Sequence, residues 1–199
     1  MSRGNGGDIM SDFGTFTDVR DGKTYRIRKI REQTWFAENF AYIPHVSPGP
    51  VQGGIWVYGY NGCDVDEAIS TENYKKYGCL YDWDTAMKVS PNGWHLPSNE
   101  DWGELTRYYG NHMIGVDTGY WKNWHSNSDN SSGFSALPGG QRTPEGLFDW
   151  GGEFANFWSS MEQGGGEFWY WYLHGNNLYA RTNPEKNTYG YSIRYIKDE

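Results

Sequence analysis

Leu, Ile, Val and Phe together make up only about 16% of this 199-residue chain, whereas Trp and Tyr number 11 and 16. So small an aliphatic share, with a formal net charge of -8, ordinarily belongs to chains that bury too little apolar surface to fold. The rings reverse that expectation, because each Trp or Tyr can bury roughly 150–250 Å². One domain of this length buries about 70% of its unfolded surface. The reading is therefore one globular domain over residues 13–199 with a core made of rings. Met1–Asp12 (MSRGNGGDIMSD) is polar and Gly-rich and reads as a tail or an expression remnant.

Composition also removes several classes of function. No apolar run approaches the roughly 18 residues of a membrane span, and no charged segment followed by an apolar one opens the chain as a signal peptide would. The acidic balance, with a pI near 5.1, argues against binding a phosphate backbone. The rings alone could stack on single strands, but no basic groove accompanies them in the sequence, so nucleic acid is not an expected partner. Cys63 and Cys79 either pair, closing a loop of about 17 residues for up to about 3 kcal/mol, or remain separate thiols.

Local patterns place the elements. Asp21-Gly22 is a turn signal. Lys23–Ile30 alternates as a strand, and Gln33–Ala37 follows as its hairpin partner. Ile43–Lys76, rich in Gly, Pro and Asn, reads as an irregular excursion longer than ordinary loops. Leu80–Val89 fits a short helix stopped by Pro91-Asn92-Gly93. Ser98 with Asp101 is a capping-box helix start, after which Trp102, Leu105 and Tyr109 share one face. His112–Ser132 is a polar loop that carries Trp121 and Trp124. From Gly133 the pattern is β, with strands expected at Glu167–Leu173, Asn177–Thr182 and Tyr189–Ile196. In the last of these Tyr191, Ile193 and Tyr195 share one face and Ser192 and Arg194 the other, as in a half-buried strand. Phe168–Leu173 is aromatic on both faces. It is either enclosed on both sides or carries an exposed aromatic platform, and periodicity does not choose between these.

The motifs Phe16–Tyr25 with Gln33–Phe40, Tyr77-Gly78-Cys79-Leu80-Tyr81-Asp82-Trp83, Pro91-Asn92-Gly93-Trp94-His95-Leu96-Pro97-Ser98, Gly133–Gly140, and Phe157-Trp158-Ser159-Ser160 with Gly190–Arg194 occur in one order across Phe16–Asp198. In that order they resemble the Fibrobacter succinogenes major paralogous domain family. The resemblance implies an α+β domain with a C-type lectin-like fold. Two helices, twisted and mostly antiparallel strands and long loops are expected, in the manner of formylglycine-generating enzymes and retroelement-diversified variable proteins. Against the family pattern, Ser90 and Tyr195 stand where Cys is common, so the family's usual disulfide is not expected, and Arg31 stands where the hairpin usually turns with Gly.

Catalytic chemistry finds little support. His95, the one His inside a motif, has no Ser or Cys nucleophile beside it and reads as a structural residue bonded within the core. His45, His112, His125 and His174 lack zinc-ligand spacing. Asp64, Asp66 and Glu67, and separately Asn127, Asp129 and Asn130, could offer hard oxygen ligands to calcium. They lack the EF-hand pattern, and the Glu-Pro-Asn and Trp-Asn-Asp triplets of calcium-dependent sugar sites are missing, so no cofactor is expected. No Cys follows Cys79 to serve a formylglycine-type oxidation. Paired glycosidase carboxylates are not marked by any pattern. Gly151-Gly152 and Gly164–Gly166 are turn material, not phosphate loops.

What remains is flat aromatic area beside amides and a guanidinium: Tyr170, Trp171, Tyr172, Asn176, Asn177, Tyr179, Arg181 and Tyr189, with Trp124. Rings stack on sugar C–H faces or on protein, while Asn and Arg fix hydrogen bonds. Against this stands the possibility that the rings only fill the core, which is the preferred reading for Trp169 and Leu173. The expected function is non-catalytic recognition or adhesion toward glycan or protein, on a bacterial surface or secreted protein. The alternatives are a retroelement-diversified binding protein and, less favoured, a formylglycine-generating-type enzyme.

Overall fold

The computed structural model describes residues 13–49, 53–177 and 179–199, so the tail reading for Met1–Asp12 lies outside the described residues. In chain order the elements are β1 (Phe13–Thr17), β2 (Thr24–Ile30), β3 (Gln33–Phe36), β4 (Ile55–Trp56), α1 (Val65–Ser70), α2 (Glu72–Tyr77), β5 (Leu80–Tyr81), α3 (Trp83–Lys88), β6 (Trp94–His95) and α4 (Asn99–Tyr109). Two 3₁₀ turns follow. After them come β7 (Gln141–Arg142), β8 (Phe148–Asp149), β9 (Phe154–Gly164), β10 (Glu167–His174), β11 (Arg181–Lys186) and β12 (Ile196–Lys197). The fold is α+β, and every named strand pairing is antiparallel.

The largest sheet has the order β1-β2-β3-β12-β6, so strands from both ends of the described chain lie in one layer. Its β2–β3 hairpin pairs Ile30 with Gln33 across a two-residue turn. Arg31 there takes φ 57°, the left-handed conformation that suits Gly. Its guanidinium lies 3.9 Å from the Tyr108 ring centroid, a cation–π contact that Gly would lack. A second sheet, β9-β10-β11, forms the C-terminal layer.

That second sheet stands between two aromatic clusters. One gathers Tyr25, Phe36, Phe40, Tyr81, Trp158, Tyr191 and Tyr195; the other gathers Trp35, Trp102, Trp121, Phe134, Phe157 and Leu173. Phe157 and Trp158 are neighbours in β9, so strand alternation sends one ring to each cluster. Trp35, Trp56, Trp102 and Trp158 are fully buried, which is the ring-built core that the composition demanded. Among the described residues no helix is long and apolar enough to cross a membrane.

Among the described residues four α-helices are present where two were expected. α1 and α2 lie inside the stretch read as irregular. They are six residues each, capped by the Asp64 and Thr71 side chains, and bury at most Ala68. With almost no buried face they leave no apolar periodicity to detect. α3 starts three residues later than the Leu80 expectation, because Leu80 and Tyr81 pair with β4 and Asp82 then caps the helix. α4 carries the expected capping box: Asp101 N–H donates to Ser98 Oγ at 3.2 Å, and Ser98 N–H donates to Asp101 Oδ2 at 2.8 Å.

Two strand readings are corrected. The Asn177–Thr182 strand falls at Arg181–Lys186, an edge strand, the position in a sheet that tolerates Pro184. The half-buried Tyr189–Ile196 strand is instead a stretch closed on both sides. Tyr191, Ser192, Ile193, Arg194 and Tyr195 are all buried, the run is held by single bridges to Tyr81, Arg142 and Phe157, and regular pairing begins only at Ile196. The polar side chain on its second face is satisfied internally. Arg194 donates from Nε to Asn39 Oδ1 (2.8 Å), from Nη1 to the carbonyls of Phe36 (3.0 Å) and Phe134 (2.6 Å), and from Nη2 to the Ser135 carbonyl (2.7 Å). Tyr195, at the departed Cys position, fills its place by donating to the Ala86 carbonyl at 2.7 Å.

Candidate functional site

Strand alternation divides β10 cleanly. Phe168, Tyr170, Tyr172 and His174 point to one face, and Trp169, Trp171 and Leu173 to the other. On the first face the rings form a continuous row. Tyr189 meets Tyr191 at 5.8 Å between centroids, Tyr191 meets Tyr170 at 4.5 Å, Tyr170 meets Tyr172 at 5.7 Å, and Tyr172 meets Phe154 at 6.1 Å. Phe154 then touches both His174 (4.5 Å) and Trp150 (4.9 Å). The row starts in the core at Tyr191, 1% exposed, and ends at Trp150, 48% exposed.

Trp150 sits in the left-handed region, at φ 61°, which is an outlier for a bulky residue and costs on the order of 1–3 kcal/mol. The surroundings impose it. The backbone N–H groups of Glu153 and Phe154 both donate to the Trp150 carbonyl, at 3.0 and 3.1 Å. Gly140 lies so close to this turn that a Cβ there would fall 2.4 Å from the Asp149 carbonyl oxygen.

Polar groups flank the row through strand register. Arg181 is directly opposite Tyr172, and Asn183 opposite Tyr170, so their side chains share the rings' face; both are exposed. Burial, with further contributions from neighbouring groups, pushes the Tyr170 and Tyr189 phenols above their ordinary range. Both are therefore neutral hydroxyls at pH 7, able to donate as well as accept. At the His174 end, Gly175 accepts the His125 N–H at 2.7 Å and Gly152 accepts the Lys122 N–H at 2.8 Å. The segment bearing Trp124, itself 47% exposed, thus borders the turn that holds Asn176 and Asn177.

The nine residues singled out from sequence therefore do not form one patch. Tyr170, Tyr172, Arg181 and Tyr189 lie along the row, and Asn176, Asn177 and Trp124 border its outer end. Trp171 is on the opposite face. Its ring stacks on Trp102 at 6.2 Å and its Nε1 donates to Asn99 Oδ1 at 3.0 Å, so it anchors α4 to the sheet. Tyr179, 71% exposed, lines a separate hollow with Arg107, Tyr109 and His112 beyond the C-terminal end of α4. Leu173 is buried as expected, whereas Trp169 stays half-buried. Sequence reasoning passed over Trp150, Phe154 and His174. For Trp150 the available signal was a large ring immediately before Gly151-Gly152, which is a ring mounted on a turn.

Other candidates receive definite places. Cys63 is an exposed thiol and Cys79 a buried one, unpaired; burial pushes the Cys79 thiol up to about 12. The possible disulfide is thus corrected, because Cys79 is enclosed just before β5 while Cys63 faces solvent. His95 is exposed, not in the core, and its Nδ1 lies 2.6 Å from Asp198 Oδ1, tying β6 to the C-terminal segment. The Asp64 carboxylate caps α1, and Glu67 accepts the Tyr60 hydroxyl at 2.9 Å. Asp129 lies 2.8 Å from His112 Nδ1, and Asn130 is bonded to Ser135. Among the described residues no group of three or more His, Cys, Asp or Glu side chains is placed to hold a metal ion.

No curated protein and no solved structure matches the chain. A family model does: the Fibrobacter succinogenes major domain matches residues 29–197, which includes β10, Arg181, Trp150 and all the cluster residues named above except Tyr25. By that match the chain belongs to the Fibrobacter succinogenes major domain family.

Proposed function

We propose that this domain is a non-catalytic recognition module of a secreted or surface-displayed protein, and that it binds a glycan along the ring row from Tyr170 to Trp150. The observation that carries the reading is the row itself, which leaves the core as packing and reaches solvent as a ledge of rings, tilted 30°, 44° and 36° pair by pair and flanked by Arg181 and Asn183. Sugar rings present C–H faces that lie well on aromatic faces, and their hydroxyls take directional bonds from guanidinium and amide groups. An exposed Trp held at positive φ fits a binding role better than a packing one, since packing alone gives no return for the strain. We further infer a C-type lectin-like arrangement. Strands from both ends of the described chain in one sheet, long loops, and a separate C-terminal sheet support it.

The reading involves no covalent step. A formylglycine-type oxidation is disfavoured because one thiol is enclosed and the other stands apart from the row. Glycan-array screening followed by calorimetric titration tests the site. Trp150→Ala, Tyr172→Ala and Arg181→Ala should each weaken the identified glycan about tenfold or more, as truncated central contacts do, while Tyr179→Ala leaves it unchanged. Equal binding by all four variants would overturn the assignment.

A further inference from the structure

A second hollow, about 350 Å³ in volume, lies between the start of β2, the segment after β3, α2 and the turn at residues 118–120. Neither Trp150, Tyr172 nor Arg181 lines it. Its charge runs against that of the whole chain. The protein has 25 acids to 17 Lys and Arg, yet Lys23, Arg26, Lys75 and Lys76 all line this hollow, and Glu38 is the one acid among its described lining residues.

Two of the four cations are neutralised locally. Arg26 Nε donates to Glu38 Oε1 at 3.0 Å, and Lys75 Nζ to Glu72 Oε1 at 3.0 Å. Lys23 and Lys76 have no carboxylate within ion-pair distance among the described residues. Their ammonium groups instead lie over tyrosine rings, Lys23 Nζ 5.0 Å from the Tyr74 centroid and Lys76 Nζ 5.7 Å from that of Tyr120. Asp21, two residues from Lys23, accepts the Lys23 backbone N–H at 2.9 Å and lines the neighbouring groove, which Lys23 and Tyr74 also border. The walls between the cations are aromatic and fixed. Tyr74 donates its hydroxyl to the Ala41 carbonyl at 2.9 Å, and Tyr77 meets Tyr120 edge-on at 5.9 Å.

Two uncompensated ammonium groups over half-buried rings, in a hollow within the usual small-ligand range of roughly 300–1,000 Å³, match one kind of ligand. It must have an anionic group for Lys23 and Lys76 and a ring face for Tyr74, Tyr77 and Tyr120. We propose that this hollow is a second binding site, independent of the ring row, for an acidic oligosaccharide bearing carboxylate or sulfate groups. An acidic peptide supplies the charge without the ring face. A nucleic acid strand needs a continuous basic track, which a net charge of -8 opposes.

The test titrates the purified protein with a galacturonate tetrasaccharide, a sulfated carrageenan tetrasaccharide, cellotetraose, an oligoglutamate and single-stranded DNA, at low salt and at 0.5 M NaCl. At least one acidic oligosaccharide should bind, with the preferred one identifying the anionic group, and cellotetraose should not compete. Added salt should weaken binding. The double variant Lys23→Gln/Lys76→Gln should lose about tenfold or more while melting as the parent does, and Trp150→Ala should retain full affinity. The proposal is overturned if neither acidic oligosaccharide binds, if the lysine variant binds equally well, if Trp150→Ala abolishes binding, or if oligoglutamate or DNA binds as tightly.

Discussion

Replacing Arg194 with Met should cost about 4 kcal/mol of folding stability. The guanidinium is fully buried and makes four hydrogen bonds, three of them to backbone carbonyls at Phe36, Phe134 and Ser135. Bonds from a charged donor contribute about 1.5–3 kcal/mol each, so the gross gain is on the order of 6–12 kcal/mol. Against it stands the cost of taking the charge out of water, several kcal/mol. That cost is visible in the guanidinium's own chemistry, since burial lowers its pKa to about 9. The group is still protonated at pH 7. Apolar replacement of a buried ion pair is sometimes neutral, because both charges leave together. Here the partners are backbone carbonyls and the Asn39 amide, and they remain. Met fills the volume and leaves those neutral acceptors without donors, at about 1–3 kcal/mol each, and the recovered desolvation cost brings the net to about 4 kcal/mol. In a chain of this size 1 kcal/mol moves the melting temperature by about 2–4 °C, so the variant should melt about 8–16 °C lower. Urea denaturation of both proteins, with slopes compared to confirm two-state behaviour, gives the difference directly. Arg194→Lys should recover only part of it, since an ammonium cannot span four divergent acceptors. A Met variant within about 1 kcal/mol of the parent would refute the claim that this guanidinium holds the chain's end to the β3 and Phe134–Ser135 segments.

Three further outcomes follow from the same structure. Trp150→Gly should raise stability by about 1 kcal/mol by relieving the positive φ while weakening glycan binding, and a variant that melts lower would contradict the strain argument. In native protein one thiol, Cys63, should react with a disulfide reagent at pH 8, and Cys79 only after unfolding; two fast thiols would contradict the burial. For Asp18 burial works to raise the pKa, but the bonds from Arg20 outweigh it and hold the carboxyl below its ordinary 3.8. A depressed folded-state pKa stabilises above the unfolded value and is lost as pH falls through the folded one. Asp18→Asn should therefore lose stability at pH 7 and show a flatter decline below about pH 4 than the parent, read from urea midpoints at both pH values.

Local chemistry was legible and facing was not. The Ser98–Asp101 capping box and the β2–β3 hairpin depend on residues within nine positions of one another, and each stands where its motif put it. Tyr191 to Tyr195 alternate between apolar and polar just as a half-exposed strand does, but alternation records polarity and not exposure. Arg194 points into a polar hole assembled from Asn39, Phe36, Phe134 and Ser135, residues about 60 to 160 positions away. The same limit divided the candidate site. Alternation separates Tyr170 and Tyr172 from Trp171, but only α4, arriving with Trp102 and Asn99, closes over the Trp171 side. The second hollow was invisible for a similar reason. Lys23, Lys76 and Tyr120 come from three distant segments, each unremarkable alone in a chain whose overall charge is negative.

The shortage of aliphatic residues and the form of the ring row have one cause. An aliphatic core can end anywhere, because its contacts have no preferred direction. Rings in edge and offset contact prefer particular centroid spacings and tilts, so a row that begins between Trp158 and Tyr191 fixes the position of each ring after it out to the surface. Tyr191 is 4.5 Å from both Trp158 and Tyr170, and the outer rings inherit that placement through Tyr172 and Phe154. A ledge built this way is ordered before any ligand arrives and loses little side-chain entropy on binding. Weakening the row's root should therefore harm binding without touching a ligand contact. Tyr191→Leu keeps an apolar side chain in the buried position but removes the ring, and should reduce affinity at the Trp150 end by a larger factor than Tyr179→Ala, which deletes an exposed ring outside the row. If the Leu variant stays folded and binds as the parent does, the outer rings hold their places unaided, and the continuity of the row has no part in recognition.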